Sequence, residues 1–143
     1  NDPANLGAVC RTAEAAGIAG IVVSRGSADV FSPKALRSAM GSSLRLPIWE
    51  DAGFEEAMSW ARKLGLRITA ADISATIDYT QFDWAGPSLI VFGSEANGLT
   101  AAQLESVDQT VKIPMQNGVE SLNLAVSCGI ILFEAVRQRS SRR

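Results

Sequence analysis

The four residues Leu89-Ile90-Val91-Phe92 form an unbroken apolar run between Ser88 and Gly93. A strand with hydrophobic side chains on both faces must be covered on both, which is the position of an inner strand in a parallel sheet. The rest of the chain alternates as such a sheet requires. Asp2 is placed to cap a helix that has Pro3 at its first position and Gly17 after its end. Leu6, Val9, Cys10, Ala13 and Ala16 recur along it at helical spacing. Ile21-Val22-Val23 reads as a buried strand, and Ser32-Pro33 opens a second helix stopped by Gly41. Leu46 to Trp49 reads as a strand, Gly53 to Leu64 as a third helix and Leu66 to Ala70 as a further strand. From Ile73 to Pro87 there is no clear period, and Tyr79, Phe82 and Trp84 suggest a packed loop. Thr100 caps a short helix reaching about Val107, Thr110 to Ile113 is the last strand, and Ser121 to about Gln138 is the last helix. The expected fold is α/β, a parallel sheet flanked by helices.

With 143 residues, 47% of them hydrophobic and 20% charged, one domain can bury its own core. No apolar run approaches the roughly 18 residues of a membrane span. Asn1-Asp2-Pro3 lacks the basic-then-apolar order of a signal peptide. The expected location is cytoplasmic, with no membrane partner. Because the chain does not begin with Met, it is expected to be cut from a longer protein.

There is no histidine, which removes the commonest general base and metal ligand. Cys10 and Cys128 lie in apolar helical contexts, too far apart for a CxxC site, and read as small buried hydrophobes. No metal is expected. Chemistry must run on Arg, Glu, Asp, Ser, Asn, backbone groups or a bound cofactor. The net charge of −2 is a poor footprint for a free-standing RNA binder. Positive charge is local: Arg25, Lys34, Arg37 and Arg45 in one region, and Arg137, Arg139, Arg142 and Arg143 at the tail. Either cluster can also be an ordinary solvated face.

Ligands of open parallel sheets bind beyond the carboxyl ends of the strands, here the loops after Val23, Ala70, Phe92 and Ile113. Gly93-Ser94-Glu95-Ala96-Asn97-Gly98-Leu99 is neither a phosphate loop, since Leu99-Thr100 stands where Lys-Ser/Thr is required, nor a dinucleotide turn. It is a tight turn with free backbone groups and one carboxylate, suited to hydroxyls, amines or a cationic centre. An ordinary strand–helix turn has the same outline. Ile113-Pro114-Met115-Gln116-Asn117-Gly118 combines a stiff exit with a turn, and Ile113 and Met115 can form an apolar slot for an adenine edge. It too can be a plain connection. The last helix is apolar nearly all round, which suggests burial between layers or subunits, and Gly129 within it suggests close backbone approach. N-capping explains Ser121 at its start but not Asn123. In the first helix Asn5 and Arg11 are six residues apart, about two-thirds of a turn out of line. Arg11 reads as a surface side chain or a phosphate clamp.

Together these segments resemble the SpoU-type (TrmH-like) RNA ribose 2′-O-methyltransferases of the SPOUT, or α/β-knot, superfamily. Asn5-Leu6-Gly7-x-x-x-Arg11 is similar to the first motif, Ile90 to Leu99 to the second, and Ile113-Pro114-Met115 with Glu120 to Val126 to the third. Arg37-Ser38-Ala39-x-Gly41 fits the family's second helix, and Ala96 and Asn97 depart from the residues usual in motif two. The three motifs stand in order across nearly the whole chain.

The resemblance implies a C-terminal trefoil knot, a homodimer and S-adenosylmethionine as cofactor, bound through Gly93, Gly98, Ile113, Met115, Leu122 and Asn123. It implies methyl transfer to a ribose 2′-hydroxyl of RNA, ribosomal RNA favoured over transfer RNA. Arg11 is the expected catalytic residue, gripping the adjacent phosphate and stabilising alkoxide charge, because a guanidinium is a poor base. Asn5, Glu95, Ser121 and Asn123 are expected to orient Arg11 or the ribose. Residues 1–143 are then the catalytic domain, and an RNA-recognition domain is expected before Asn1. The rival readings are a non-catalytic RNA- or partner-binding module of the same fold, and a nucleotide-dependent oxidoreductase, against which the missing glycine fingerprint counts.

Overall fold

The computed structural model describes residues 2–141. Arg142 and Arg143 of the basic tail, and Asn1, lie outside them. The elements run α1 (Pro3–Ala15), β1 (Ile21–Ser24), α2 (Pro33–Ala39), a 3-10 turn (Ser42–Leu44), β2 (Ile48–Ala52), α3 (Phe54–Lys63), β3 (Arg67–Ala71), β4 (Ser88–Phe92), α4 (Ala101–Glu105), β5 (Gln109–Val111) and α5 (Leu124–Ser141). The helix starts are where capping chemistry puts them. Asp2 accepts from Ala4 N–H at 2.9 Å, Ser32 from Ala35 N–H at 3.3 Å and Thr100 from Gln103 N–H at 3.1 Å.

Every strand pairing is parallel, but the strands form two hydrogen-bonded groups, β1-β2 and β4-β3-β5. Side-chain alternation ties the groups together. Val22 of β1 joins Leu89 and Val91 of β4, Ile68 of β3 and the α3 residues Ala57, Met58 and Ala61 in one cluster. Ile21 and Val23 turn the other way, to Cys10 of α1 and Ala39 of α2. Ile90 and Phe92 likewise face away from Leu89 and Val91, toward Ile131 and Ala135 of α5. One helix therefore covers one face of both groups, and α1, α2 and α5 cover the other. A fully buried side chain of this size contributes about 1.5–3 kcal/mol, enough to hold strands of three to five residues that have little stability of their own. The loop from Ile73 to Pro87 is packed as expected: Trp84 is 1% exposed and its indole N–H donates to Tyr79 O at 2.8 Å.

Several boundaries differ from the sequence expectation. The strand read at Leu46–Trp49 is β2 at Ile48–Ala52, because Leu46 packs into the α1–α2 cluster and Pro47 only offers its carbonyl to Ile21 N–H. Asp51 takes a left-handed φ of 52° where the β1-β2 register slips. The last strand ends at Val111, and an isolated Asp78–Lys112 bridge continues the ladder. The helix read from Ser121 begins three residues later, at Leu124, for a reason that belongs to the site. Within one chain Cys128, Ile131, Leu132 and Ala135 of α5 face inward, while Val126 and Phe133 are about half exposed. Gly129 does not mark close backbone approach, since a Cβ there meets nothing nearer than the Thr12 methyl at 3.6 Å. The close crossing is at Gly7, where a Cβ falls 2.2 Å from Ala35 O, so α1 and α2 touch backbone to backbone.

Candidate functional site

The three motif segments meet through side chains. Asn5, on α1, donates its Nδ2–H to Glu95 Oε1 at 2.6 Å. Asn123 donates its Nδ2–H to Asn5 Oδ1 at 2.9 Å. The Asn123 Oδ1 accepts from Ala125 N–H at 2.9 Å and Val126 N–H at 3.2 Å, so Asn123 is the N-cap of α5. This reverses the sequence reading, which gave the cap to Ser121 and left Asn123 unexplained. Ser121 is exposed, lies ahead of the helix and makes no side-chain hydrogen bond among the described residues. Asn123 takes the cap because its amide can accept from the helix with one end and donate to Asn5 with the other; a serine hydroxyl is too short to do both.

Glu95 is held from the second side by its own loop. Gly98 N–H donates to Ser94 O at 2.9 Å, and Asn97 N–H to Ser94 Oγ at 3.2 Å. The turn is so tight that a Cβ on Gly93 would stand 2.4 Å from the Gly98 carbonyl carbon, and Gly98 itself has φ of 64°. Between Asn5 and Leu6 of α1, Ser27 and Ala28 after β1, and Ser94 and Glu95 after β4 lies a shallow concavity. It sits where the β1-β2 pair gives way to β4, at the carboxyl ends of the strands. Sequence reasoning singled out the loop after β1 but missed Ser27 and Ala28, which carry no chemical signature.

The loop from Ile113 to Leu122 is the other open part of the site. Asn117 and Gly118 both have positive φ, 56° and 75°, the turn their dipeptide signals. Among the described residues, the one backbone hydrogen bond within this loop runs from Val119 N–H to Gln116 O at 3.2 Å. Its remaining donors and acceptors are unspent, while Met115 and Ile113 are half-buried and Leu122 is 37% exposed. An apolar lining with free backbone groups suits a flat heterocycle with polar edges.

Arg11 is exposed and makes no hydrogen bond or ion pair among the described residues. It does not join Asn5, Glu95 or Asn123, which bond to one another instead. The other cations are mostly engaged. Arg25 pairs with Asp51 at 3.6 Å, Lys34 with Asp2 at 3.3 Å, Arg45 with Glu14 at 2.7 Å and Arg137 with Glu134 at 2.8 Å. Arg139 donates to Trp84 O and Gly86 O, both at 3.0 Å. Three members of the first basic cluster and the two described members of the second are thus tied into the fold, and among the described residues Arg11 and Arg37 keep free guanidinium groups. Among the described residues there is no group of three or more acidic or cysteine side chains able to hold a metal, and no helix long and apolar enough to cross a membrane.

Comparison with known proteins points one way. The model of the SpoU rRNA Methylase family matches residues 1–133. A 23S rRNA (uridine(2479)-2′-O)-methyltransferase of Streptomyces viridochromogenes is 38% identical across 99% of this chain and 51% of its own length. The 23S rRNA (guanosine-2′-O-)-methyltransferase RlmB of Pseudomonas syringae is 34% identical across 99% of this chain and 57% of its own. The crystal structure of the SpoU methyltransferase AviRb from Streptomyces viridochromogenes, in complex with AdoMet, superposes with a TM-score of 0.92 at 38% identity, covering 99% of this chain and 56% of that one. The chain spans about half the length of the curated relatives it matches.

Proposed function

The chain belongs to the SpoU rRNA methylase family, and on that premise we propose that it transfers a methyl group from S-adenosylmethionine to a ribose 2′-hydroxyl of RNA. The observation that carries this reading is the Asn123–Asn5–Glu95 relay, which joins residues up to 118 positions apart at the strand ends. Such a relay has no need to exist in a plain scaffold. The alternative of a binding module without catalysis leaves it unexplained.

The residues present fit the cofactor. The Gly93 turn admits no Cβ, and the Ile113–Leu122 loop keeps its backbone groups free. Gly93, Gly98, Ile113, Met115 and Leu122 would hold the cofactor, with Asn123 fixing the start of α5 beside it. When bound, it supplies a methyl group already activated by a sulfonium charge.

The chain's own work is to align the acceptor and to help it lose its proton. Glu95, fixed by Asn5, presents a carboxylate to the concavity, where it accepts a hydrogen bond from a ribose hydroxyl. Ser121, with its hydroxyl free, orients the sugar. Arg11 has no internal partner to give up, so its guanidinium is free to take a phosphate and stabilise alkoxide charge. Arg11 projects on a different side of α1 from Asn5, and Val126 and Phe133 of the adjoining α5 are exposed. A homodimer that covers this face buries the apolar stripe and brings Arg11 to the site; the C-terminal knot belongs to the same family reading.

Ribosomal RNA is the favoured substrate class, since relatives 34% and 38% identical over nearly the whole of this chain are named for 23S rRNA. The same reading places the reaction where ribosomal RNA is processed, and we propose the cytoplasm. Mapping 2′-O-methyl positions in ribosomal and transfer RNA, with and without the full-length gene, tests the reading. No lost position in either RNA refutes it, and a position lost only from transfer RNA corrects the substrate.

A further inference from the structure

Two concavities lie side by side at the carboxyl end of β1. The shallow one already described runs from Asp2 and Asn5 to Glu95, and a second opens between Ser24, Asp29, Glu50 and Asp51. Ser27 and Ala28 line both and form the wall they share. The second is the larger, about 180 Å³ against 60 Å³, so a ligand that overfills the first continues into it. The wall is a fixed turn: Ser27 N–H donates to Ser24 O at 3.2 Å, the two hydroxyls stand 3.1 Å apart and Gly26 has φ of 85°.

Each concavity has a cation at its rim, and each cation is loosely held. Lys34 Nζ lies 3.3 Å from Oδ1 of Asp2, which lines the first. Arg25 Nε lies 3.6 Å from Oδ1 of Asp51, which lines the second. Charge-assisted hydrogen bonds are shorter, about 2.7–2.9 Å. All four side chains are about half exposed or more, and ion pairs so well solvated hold little. Asp2 keeps its bond from Ala4 N–H when Lys34 leaves. Arg45 and Arg137 differ, because each grips its carboxylate through two bonds of 2.7–2.9 Å. Among the described ion-paired cations, Lys34 and Arg25 change partner at least cost.

We propose that Lys34 and Arg25 hold backbone phosphates of the RNA strand that carries the acceptor ribose, one on each side of the Ser27–Ala28 wall. The inference rests on the methyl-transfer reading above and makes both of them positioning residues, neither touching the reacting atoms. The charge pattern sets how the strand lies. Asp29, Glu50 and Asp51 line the second concavity, and carboxylates repel phosphate and only accept hydrogen bonds. The phosphates therefore stay at the rims, and a base turns its N–H groups inward. A strand laid across both concavities presents its ribose to Glu95 in the first.

Filter binding of ribosomal RNA, extracted from a strain that lacks the gene, to the full-length protein tests this over about 50–200 mM salt. The slope of log affinity against log salt is expected to become shallower by about 0.7 in Lys34→Ala and in Arg25→Ala, the share of one single-strand phosphate, and by about twice that in the double variant. In steady-state methyl transfer both variants raise KM and keep kcat, and both bind S-adenosylmethionine and melt as wild type does. Lys34→Arg and Arg25→Lys keep the wild-type slope, because the charge does the holding. Lys63→Ala removes the same charge at the far end of α3 and leaves the slope unchanged. Wild-type slopes in either alanine variant overturn the proposal. So does a Lys63→Ala slope that falls as far as theirs, or a kcat that falls at constant KM. If the wild type binds this RNA with these slopes yet transfers no methyl group to ribosomal or transfer RNA, the methyl-transfer reading fails and the phosphate contacts stand.

Discussion

Asn5 is held between two partners that need opposite ends of its amide: its Nδ2–H donates to Glu95 at 2.6 Å while its Oδ1 accepts from Asn123 at 2.9 Å. Aspartate has the same shape and only acceptors. Asn5→Asp therefore sets one carboxylate against another and loses the fixed orientation of Glu95. The expected result is a fall in methyl transfer of at least about a hundredfold, the scale of a misplaced reacting group. Thermal stability should fall far less, because the relay lies at the exposed rim. A rate within threefold of wild type contradicts the role given to Glu95.

Asn123 offers a cleaner separation of support from chemistry. Asn123→Asp keeps the oxygen that caps α5 and removes the donor to Asn5. Unfolding in urea should change by no more than about 0.5 kcal/mol, since aspartate caps as well as asparagine, while kcat drops sharply. Asn123→Ala should lose about 1 kcal/mol as well, the usual value of a cap. If the aspartate variant is fully active, Asn123 serves the helix alone.

How far the sequence disclosed this arrangement depends on the range of the interaction. The strand at Leu89–Phe92 and the caps at Asp2, Ser32 and Thr100 are set by neighbours within a few residues, and they stand where the sequence places them. The start of α5 does not. Ser121 is a good local cap, but Asn123 wins because Asn5, 118 positions away, rewards its second hydrogen bond. Gly129 and Gly7 show the same limit. A glycine inside a helix signals contact, yet only the folded chain shows that Gly7 touches a backbone and Gly129 merely a methyl group. The split of the sheet into β1-β2 and β4-β3-β5 is likewise a matter of spacing between strands that no periodicity encodes.

Arg11 is free of internal partners, so its removal leaves no buried group unpaired. Arg11→Ala should abolish methyl transfer and leave the affinity for S-adenosylmethionine within about twofold by calorimetry. Arg11→Lys should recover little, because a lysine ammonium cannot reproduce a two-pronged grip on phosphate. Equal loss of cofactor affinity and activity in Arg11→Ala places this residue with the cofactor instead of the RNA.

Glu14 joins α1 to the turn after α2. Hydrogen bonds from Arg45, and then from Ser42, bring its carboxyl from the ordinary 4.5 down to about 2. A group whose pKa is depressed by folding stabilises the fold above its unfolded value, and the contribution disappears as the pH falls through its folded value. The stability advantage of wild type over Glu14→Gln should thus be constant above about pH 4.5 and shrink steadily toward pH 2. Urea titrations of both proteins across that range measure it. An advantage that does not change with pH means that the Arg45 pair is too well solvated to matter.

The two helical glycines give opposite expectations for one substitution. At Gly7 an added methyl has nowhere to go: Ala35 O, Ser38 Cβ and Ala39 N all lie under 3.0 Å from the new atom, and two of the three are backbone. Separating α1 from α2 also strains the Ser38 hydroxyl bond to Ala4 O. Gly7→Ala should cost about 3 kcal/mol, the upper end for overpacking, and shift Asn5 with its helix. At Gly129 the methyl meets only the Thr12 methyl at ordinary contact distance, and α5 gains the helix preference of alanine, about 1 kcal/mol. Gly129→Ala should therefore melt higher than wild type. A destabilised Gly129→Ala would reveal a closer neighbour at that face than this chain alone provides, and a second copy packed on α5 is the neighbour to look for.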